Sequence, residues 1–264
     1  MRDVAKFGWI PDLPDQRDYR AIPKPTLSPP PPNLSLESGM PPVYDQHQLG
    51  SCVANATAAI VDYARKKQGL RFMTPSRLFI YYNARDLEQS TAVDDGCMIR
   101  DAMKSLVSQG VCVEQFWKYS EYFADQPRKL CYSTALFHQT LQYAALAQDL
   151  TVLKATLAGG VPFVFGFSVY SSFMADAVAQ TGIVPMPRKS EEQIGGHAVT
   201  AIGYDDLTGP STLPFPLRPP VPSFLCRNSW GTMWGMRGHF WMPFDYVLNN
   251  NLADDLWEIT MEEG

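Results

Sequence analysis

The chain has 264 residues, a formal net charge of −5, and a composition that is 45% hydrophobic and 12% aromatic. This hydrophobic content excludes a disordered chain, and the length fits one large domain or two packed lobes with a sizeable core. The mildly acidic balance, without a run of basic residues, disfavours nucleic acid and membrane-surface partners. No apolar stretch reaches the ~18 residues that a membrane span needs.

Proline dominates the beginning of the chain. Eight of the 22 prolines lie in the first 38 residues, four of them in the run from Pro29 to Pro32, which predicts extended polyproline II backbone. We expect residues 1–38 to form a leader arm outside the core and residues 39–264 to form the folded domain. Since the N-terminus lacks the apolar core of a signal peptide, we expect a cytoplasmic protein, or one exported without a classical signal.

Helical and strand-forming patterns occupy different halves of the domain. Apolar spacing and glycine stops predict four helices, at Cys52–Lys67, Pro75–Glu88, Ile99–Ser108 and Asp149–Leu157. Runs rich in valine, phenylalanine, isoleucine and tryptophan predict five strands, at Val161–Val169, Ala198–Tyr204, Ser223–Arg227, Gly238–Met242 and Leu256–Met261. This order indicates an α+β fold, with a functional site in a cleft between two lobes.

The cysteines give no sign of a metal site. The five cysteines are Cys52, Cys97, Cys112, Cys131 and Cys226. Their number is odd and no two of them form a CxxC pair, which argues against a zinc cage or a redox dithiol. Without a signal peptide we expect free thiols rather than a disulfide framework.

The segment from Gln46 to Cys52 carries a local signal for nucleophilic chemistry. Cys52 begins a predicted helix, where the positive end of the helix dipole favours the thiolate and lowers the pKa of the thiol. Main-chain N–H groups at a helix start can bind a developing oxyanion, and Gln46 can add a side-chain N–H to the same hole. The alternative is a small buried core cysteine.

Three residues of the strand-rich half can complete such a site. His197 follows two glycines and opens an apolar strand, which suits a general base facing a cleft. Asn228 ends another strand, where its amide can hold the imidazole in one tautomer. Trp230 can cover that hydrogen bond. His197 and Trp230 each have a structural alternative, as a structural histidine and as a core aromatic residue.

In these residues the chain resembles the papain family of cysteine peptidases, and its bacterial members most. Three blocks follow the family's active-site order, and they are Gln46 with Gly50-Ser51-Cys52, Gly196-His197-Ala198, and Asn228-Ser229-Trp230-Gly231. The resemblance implies a two-lobed fold, with a helical left lobe, an antiparallel β-barrel-like right lobe and the cleft between them. It also implies that Cys52 is the nucleophile, His197 the base and Asn228 its orienting group, and that Gln46 completes the oxyanion hole.

The resemblance has departures that affect the cleft. Leu49 stands where the family usually has a cysteine, so the usual first disulfide has lost a partner. Cys97 stands where a second glycine of the substrate-binding wall is usual. By resemblance the candidate substrate-binding residues are Gly96, Met98, Ile99, Ala198 and Trp230.

The function that these features predict is hydrolysis of peptide bonds in protein or peptide substrates, without a metal or organic cofactor. We expect the arm to lie in the cleft and block it, with Trp9 or Tyr19 as hydrophobic anchors, because extended proline-rich backbone loses little entropy on binding. One alternative is a papain-like acyltransferase or amidase, which would pass the acyl group to an amine. The other is an inactive papain-fold binding module.

Overall fold

The computed structural model describes residues 7–21, 29–70, 73–139 and 142–260. The helices in these ranges are α1 (Cys52–Lys67), α2 (Arg77–Leu87), α3 (Ile99–Ser108), α4 (Lys129–Ala135), α5 (Leu150–Ala158), α6 (Asp176–Thr181) and α7 (Phe244–Val247). The strands are β1 (Asn33–Ser35), β2 (Gln142–Ala145), β3 (Phe163–Tyr170), β4 (Gln193–Asp205), β5 (Ser223–Arg227), β6 (His239–Pro243) and β7 (Ala253–Thr260).

All four predicted helices and all five predicted strands are present. Helices α1 and α3 have the predicted bounds, and the Asp149 side chain caps α5 by accepting from the Val152 N–H. The sequence patterns missed α4, α6, α7, β1 and β2, which are three to seven residues long. Elements this short show too little periodicity to be read from sequence, and they are stabilised by tertiary packing rather than by propensity.

The strands form one antiparallel sheet in the order β2-β7-β3-β4-β5-β6, with β1 paired to β4 beside this path. This confirms the α+β fold, but the sheet does not close into a barrel, because within the described residues the end strands β2 and β6 do not pair with each other. The predicted leader boundary at residue 38 falls after β1. The C-terminal part of the predicted leader is therefore held in the sheet.

Both faces of the sheet are covered. In β3, Val164 packs with the cluster under α1 to α3, whereas Phe163 and Phe165 pack into a second cluster on the opposite face. In β5, Leu225 packs with the cluster under the helices and Phe224 packs into the second cluster. The alternation follows from the period-two geometry of a strand, and it makes the sheet the shared wall of two cores.

All five cysteines are buried and have free thiols. In the described ranges no group of three or more histidine, cysteine or acidic side chains is arranged to hold a metal ion. No helix among the same residues has the length and apolar character that crossing a membrane requires.

Replacing Leu225 with alanine tests the shared wall. Leu225 is fully buried in the cluster under the helices, so Leu225→Ala is expected to lower the free energy of unfolding by about 2–5 kcal/mol, from lost apolar burial and the remaining cavity. Urea unfolding measures the change. Leu130→Ala is the matched control, since Leu130 is 57% exposed. Equal losses for the two variants would contradict the assignment of Leu225 to the core.

Candidate active site

Cys52 lies at the point where helix meets sheet. It is the first residue of α1 and is fully buried against β4. Its sulfur accepts the main-chain N–H of Ala198 at 3.4 Å, and the N–H of Gly8 from the arm also donates to it. The thiol therefore contacts the strand that carries His197 and the arm that covers both.

The His197 ring is held from one side by Asn228. His197 Nε2 lies 2.8 Å from Asn228 Oδ1, and that amide oxygen also accepts the Ser229 N–H. The Trp230 indole stacks on the imidazole, with ring centroids 4.8 Å apart. The other ring nitrogen, Nδ1, has no hydrogen-bond partner among the described residues. Because an amide oxygen only accepts, Nε2 carries the proton and Nδ1 is left as a base in the neutral ring.

Burial sets the charge of both groups. Exclusion of water raises the pKa of the Cys52 thiol to about 11, although N–H donors from Ala198 and Gly8 act in the opposite direction. Burial also lowers the pKa of His197 to about 4. A thiol and a neutral imidazole are thus favoured here. The lowered thiol pKa predicted from the helix position does not apply to this arm-covered state, because desolvation outweighs the helix end.

The Gln46 amide is fixed in place in the segment that leads to Cys52. It is fully buried, its Oε1 accepts Ser229 Oγ–H at 2.6 Å, and its Nε2 donates to Leu49 O at 2.8 Å. An amide nitrogen carries two hydrogens, so one N–H remains beyond the bond to Leu49. The main chain is also tied to the block that contains Asn228, since Gln46 N donates to Ser229 O at 2.8 Å.

Asp94 joins the turn before Cys52 to the facing wall of the cleft. Asp94 Oδ1 accepts the Gly50 N–H at 3.0 Å and the Tyr81 hydroxyl at 2.6 Å, and that hydroxyl accepts the Gly96 N–H at 3.2 Å. These bonds hold the two segments together in a chain where Leu49 leaves no disulfide partner at this turn.

The arm runs across the site as extended backbone. Gly8 O accepts the Cys97 N–H at 3.0 Å, and on the other side Trp9 N donates to Gly196 O at 3.0 Å. The approach is so close that a Cβ at Gly8 would lie 1.7 Å from Gly50 O. Only glycine fits at this position of the arm.

Trp9 fixes the arm beside the site. Its side chain is only 9% exposed and belongs to the core under the helices. The indole lies directly over Gly166, where a Cβ would come within 2.0 Å of it, and its Nε1 donates to Asp255 Oδ2 at 2.9 Å. The Phe7 ring lies 6.3 Å from that of His197, between centroids.

The following part of the arm is held by main-chain hydrogen bonds and by an ion pair with the domain. Ala145 N donates to Tyr19 O at 2.8 Å, and Arg100 bonds to Leu13 O and to Asp18, the latter at 2.6 Å. The Tyr19 side chain is 62% exposed. The expectation that it acts as a hydrophobic anchor does not fit this exposure, because only its main chain is engaged.

The candidate substrate-binding residues occupy different environments. Gly96 has a φ of +95° and faces Gly8, so it lines the path that the arm takes. Met98 is partly buried, and its N–H donates to Glu88. Ile99 is fully buried in this arm-covered state and belongs to the same core cluster as Cys52 and Trp9. Ala198 contributes its main-chain N–H to Cys52, and Trp230 covers His197.

Sequence reasoning missed several side chains that support the site. Ser229 lies inside the block that includes Asn228, so the motif itself could have drawn attention to it. Asp94, Tyr81 and Tyr119 lie far from the motifs in sequence, and their polar contacts arise only from the folded arrangement.

Comparisons with known proteins show the family of the chain. The model of the papain family cysteine proteases matches residues 35–253. An uncharacterized peptidase C1-like protein of Acanthamoeba polyphaga mimivirus is 42% identical over 226 residues, covering 81% of this chain and 68% of that protein.

Two solved structures resemble the whole described fold. Xylellain, a cysteine protease from Xylella fastidiosa, is 38% identical with a TM-score of 0.88, covering 100% of this chain and 98% of that one. A procathepsin B from Trypanosoma congolense has a TM-score of 0.76 at 17% identity, covering 99% and 88%, and this likeness concerns the fold alone. The resemblance inferred from the three sequence blocks is thereby confirmed: the chain belongs to the papain family and is a cysteine peptidase, a hydrolase.

Proposed function

We propose that this protein is a cysteine endopeptidase in which Cys52, His197, Asn228 and Gln46 carry the reaction and the N-terminal arm restrains it. The observation that supports this most is the hydrogen bond from the Ala198 N–H to the Cys52 sulfur. Ala198 directly follows His197, whose imidazole is held by Asn228. This arrangement supports a reaction in which a helix-start thiol gives its proton to the ring nitrogen of His197 that Asn228 does not hold.

The reaction follows from the protonation state of the ring. His197 Nδ1 takes the Cys52 proton, and the sulfur forms a bond to the substrate carbonyl carbon. The remaining Gln46 N–H and the Cys52 main-chain N–H stabilise the oxyanion. The imidazolium then gives its proton to the leaving amine as the C–N bond breaks. Water, deprotonated by His197, displaces the thiolate and releases the acid, which restores the starting state.

The direction of the arm's peptide groups supports a role of the arm as a restraint. Gly8 presents its N–H to the Cys52 sulfur and its carbonyl oxygen to the Cys97 N–H. The Gly8 carbonyl is thus bonded to the facing wall of the cleft, which argues against attack on the Gly8–Trp9 peptide bond. The arm occupies the position of a substrate as an inhibitor, and it also keeps the thiol protonated by excluding water.

Replacing Cys52 with alanine tests the catalytic assignment. Cys52→Ala is expected to abolish hydrolysis of peptide substrates, because no other group supplies the acyl-accepting sulfur. The measurement is the rate of release of a peptide-linked fluorophore. Cys226→Ala is the control, since Cys226 is also fully buried. Hydrolysis retained by Cys52→Ala would exclude Cys52 as the nucleophile. Absence of hydrolysis in both the wild type and the arm-displaced variant Gly8→Ala would favour a binding module.

Replacing Gly8 with alanine tests the restraint. The added Cβ cannot coexist with the Gly50 carbonyl, so Gly8→Ala should displace the arm and raise peptide hydrolysis roughly tenfold or more. Alkylation of Cys52, located by mass spectrometry, should accelerate as well. Leu13→Ala is the control on the same arm, because the Leu13 side chain is 68% exposed. Unchanged rates in Gly8→Ala would mean that the arm does not limit access.

Two carboxyl groups meet where the arm docks on β7. Asp12 N and Trp9 Nε1 both donate to Asp255 Oδ2, at 2.8 and 2.9 Å. Burial, and to a smaller extent repulsion from Asp255, raises the pKa of Asp12 to about 7. Burial raises the pKa of Asp255 to about 6. The other charged groups nearby are Asp254, which raises the pKa of Asp255, and Arg100, which lowers both pKa values.

These carboxyl groups make docking of the arm dependent on pH. Both carboxyls bind protons more tightly in the docked state than when exposed, so their favourable contribution is complete below about pH 4 and is lost as pH rises through about 6 to 7. Arm release should therefore increase from pH 5 to pH 8. The ratio of Cys52 alkylation rates in wild type and Gly8→Ala measures docking at each pH, because thiol ionisation affects both rates.

Asp255→Asn should flatten that pH profile. The amide oxygen can still accept from Trp9 and Asp12, and asparagine tolerates the φ of +55° at this position. Asp176→Asn, an exposed substitution on α6, is the control and should leave the profile unchanged. A profile for Asp255→Asn as steep as that of the wild type would show that this carboxyl pair does not govern docking.

A further inference from the structure

The hydroxyl of Tyr119 bonds to both segments that carry the proposed oxyanion donors. It donates to the main-chain carbonyl of Gln46 at 2.8 Å and lies 2.5 Å from Ser51 Oγ. Since the phenol has one hydrogen and gives it to Gln46, Ser51 is the donor in the second bond. Gln46 supplies the side-chain donor, and Ser51 directly precedes Cys52, which supplies the main-chain donor.

Tyr119 is itself held firmly. The Arg77 guanidinium lies over its ring at 4.0 Å and is paired with Glu114 through two bonds of 2.7 and 2.9 Å. Arg77 also donates to Asn55 Oδ1 at 3.1 Å, and Asn55 Nδ2 donates to Ser51 Oγ at 3.1 Å. Arg77 therefore orients the Tyr119 ring, and Asn55 orients the Ser51 hydroxyl.

The hydroxyl keeps its hydrogen throughout the working range of pH. Burial raises the pKa of Tyr119 to about 12, so the phenol is neutral and remains a donor to the Gln46 carbonyl. A single atom, Tyr119 Oη, therefore connects the main chain at Gln46 with the residue next to Cys52.

We propose that Tyr119 is a positioning residue, which sets the spacing between the Gln46 side chain and the Cys52 N–H and so shapes the oxyanion hole. Preorganised donors stabilise a transition state only when they are correctly placed, and small displacements are costly in rate. The proposal rests on the proposed function of Gln46 and Cys52, and it adds that their geometry depends on a hydroxyl from the loop between α3 and α4.

The test compares two reactions of the same thiol. Peptide hydrolysis builds up an oxyanion, whereas alkylation of Cys52 by iodoacetamide does not. Both are measured on the full chain carrying Gly8→Ala in every sample, so that access is equal. The variants are Tyr119→Phe, Gln46→Ala, their combination, and Tyr132→Phe as a matched control, since the Tyr132 hydroxyl donates to Asn83 at 3.1 Å.

Tyr119→Phe is expected to lower kcat roughly tenfold, with little change in KM and an unchanged alkylation rate, because only the oxyanion donors are displaced. Gln46→Ala should lower kcat by about 100-fold. The double variant should be no more than about threefold slower than Gln46→Ala, since two residues that act through one donor are not additive. Tyr132→Phe should match the parent.

Any of three results would overturn the proposal. The first is an unchanged kcat in Tyr119→Phe, and the second is an equal fall of the hydrolysis and alkylation rates in that variant. The third is a double variant whose loss of kcat equals the product of the two single losses. The second would assign Tyr119 a general structural role. If Gln46→Ala itself leaves kcat unchanged, the proposed oxyanion role of Gln46 is wrong. The two failures are therefore distinguishable.

Discussion

The site depends on the packing of the first turn of α1 against β4. The Ala198 N–H bonds the Cys52 sulfur, and Thr200 Oγ1 donates to Ala56 O at 3.2 Å, so helix and strand are connected along their contact. His197 precedes Ala198 and is placed by the same strand. Two residues distant in sequence are adjacent because a helix start and a strand in the shared wall of two cores meet at this point.

Burial has a second consequence at this contact. The arm completes the enclosure of Cys52 and His197, and both groups are then favoured in their neutral forms. Opening the cleft to water removes the desolvation that opposes the thiolate and the imidazolium. Access and activation are thus coupled in our account, since one segment of chain controls both. The carboxyl pair of Asp12 and Asp255 lies in that segment's docking surface and would make the coupling sensitive to pH.

The blocks that we propose to carry the chemistry could be found in the sequence because each is local. Cys52 at a predicted helix start and His197 at a strand start required only short patterns, and the family followed from their order. The supports could not be predicted in this way. Asp94 and Tyr119 form hydrogen bonds to site segments that are far from them in sequence. Tyr19 is an aromatic residue of the kind expected to anchor the arm, but its side chain is exposed to solvent.

The central claim is that the arm occupies the cleft over Cys52. It is tested most directly with protein that starts at Pro29, which retains β1, and a synthetic peptide of residues 7–21 added to it. Cys52 alkylation by iodoacetamide is followed by intact mass and located by peptide mapping. Our account predicts rapid single labelling of Cys52 in the shortened protein and saturable protection by the peptide. Labelling as slow as in the full chain, or a peptide without effect, would contradict it.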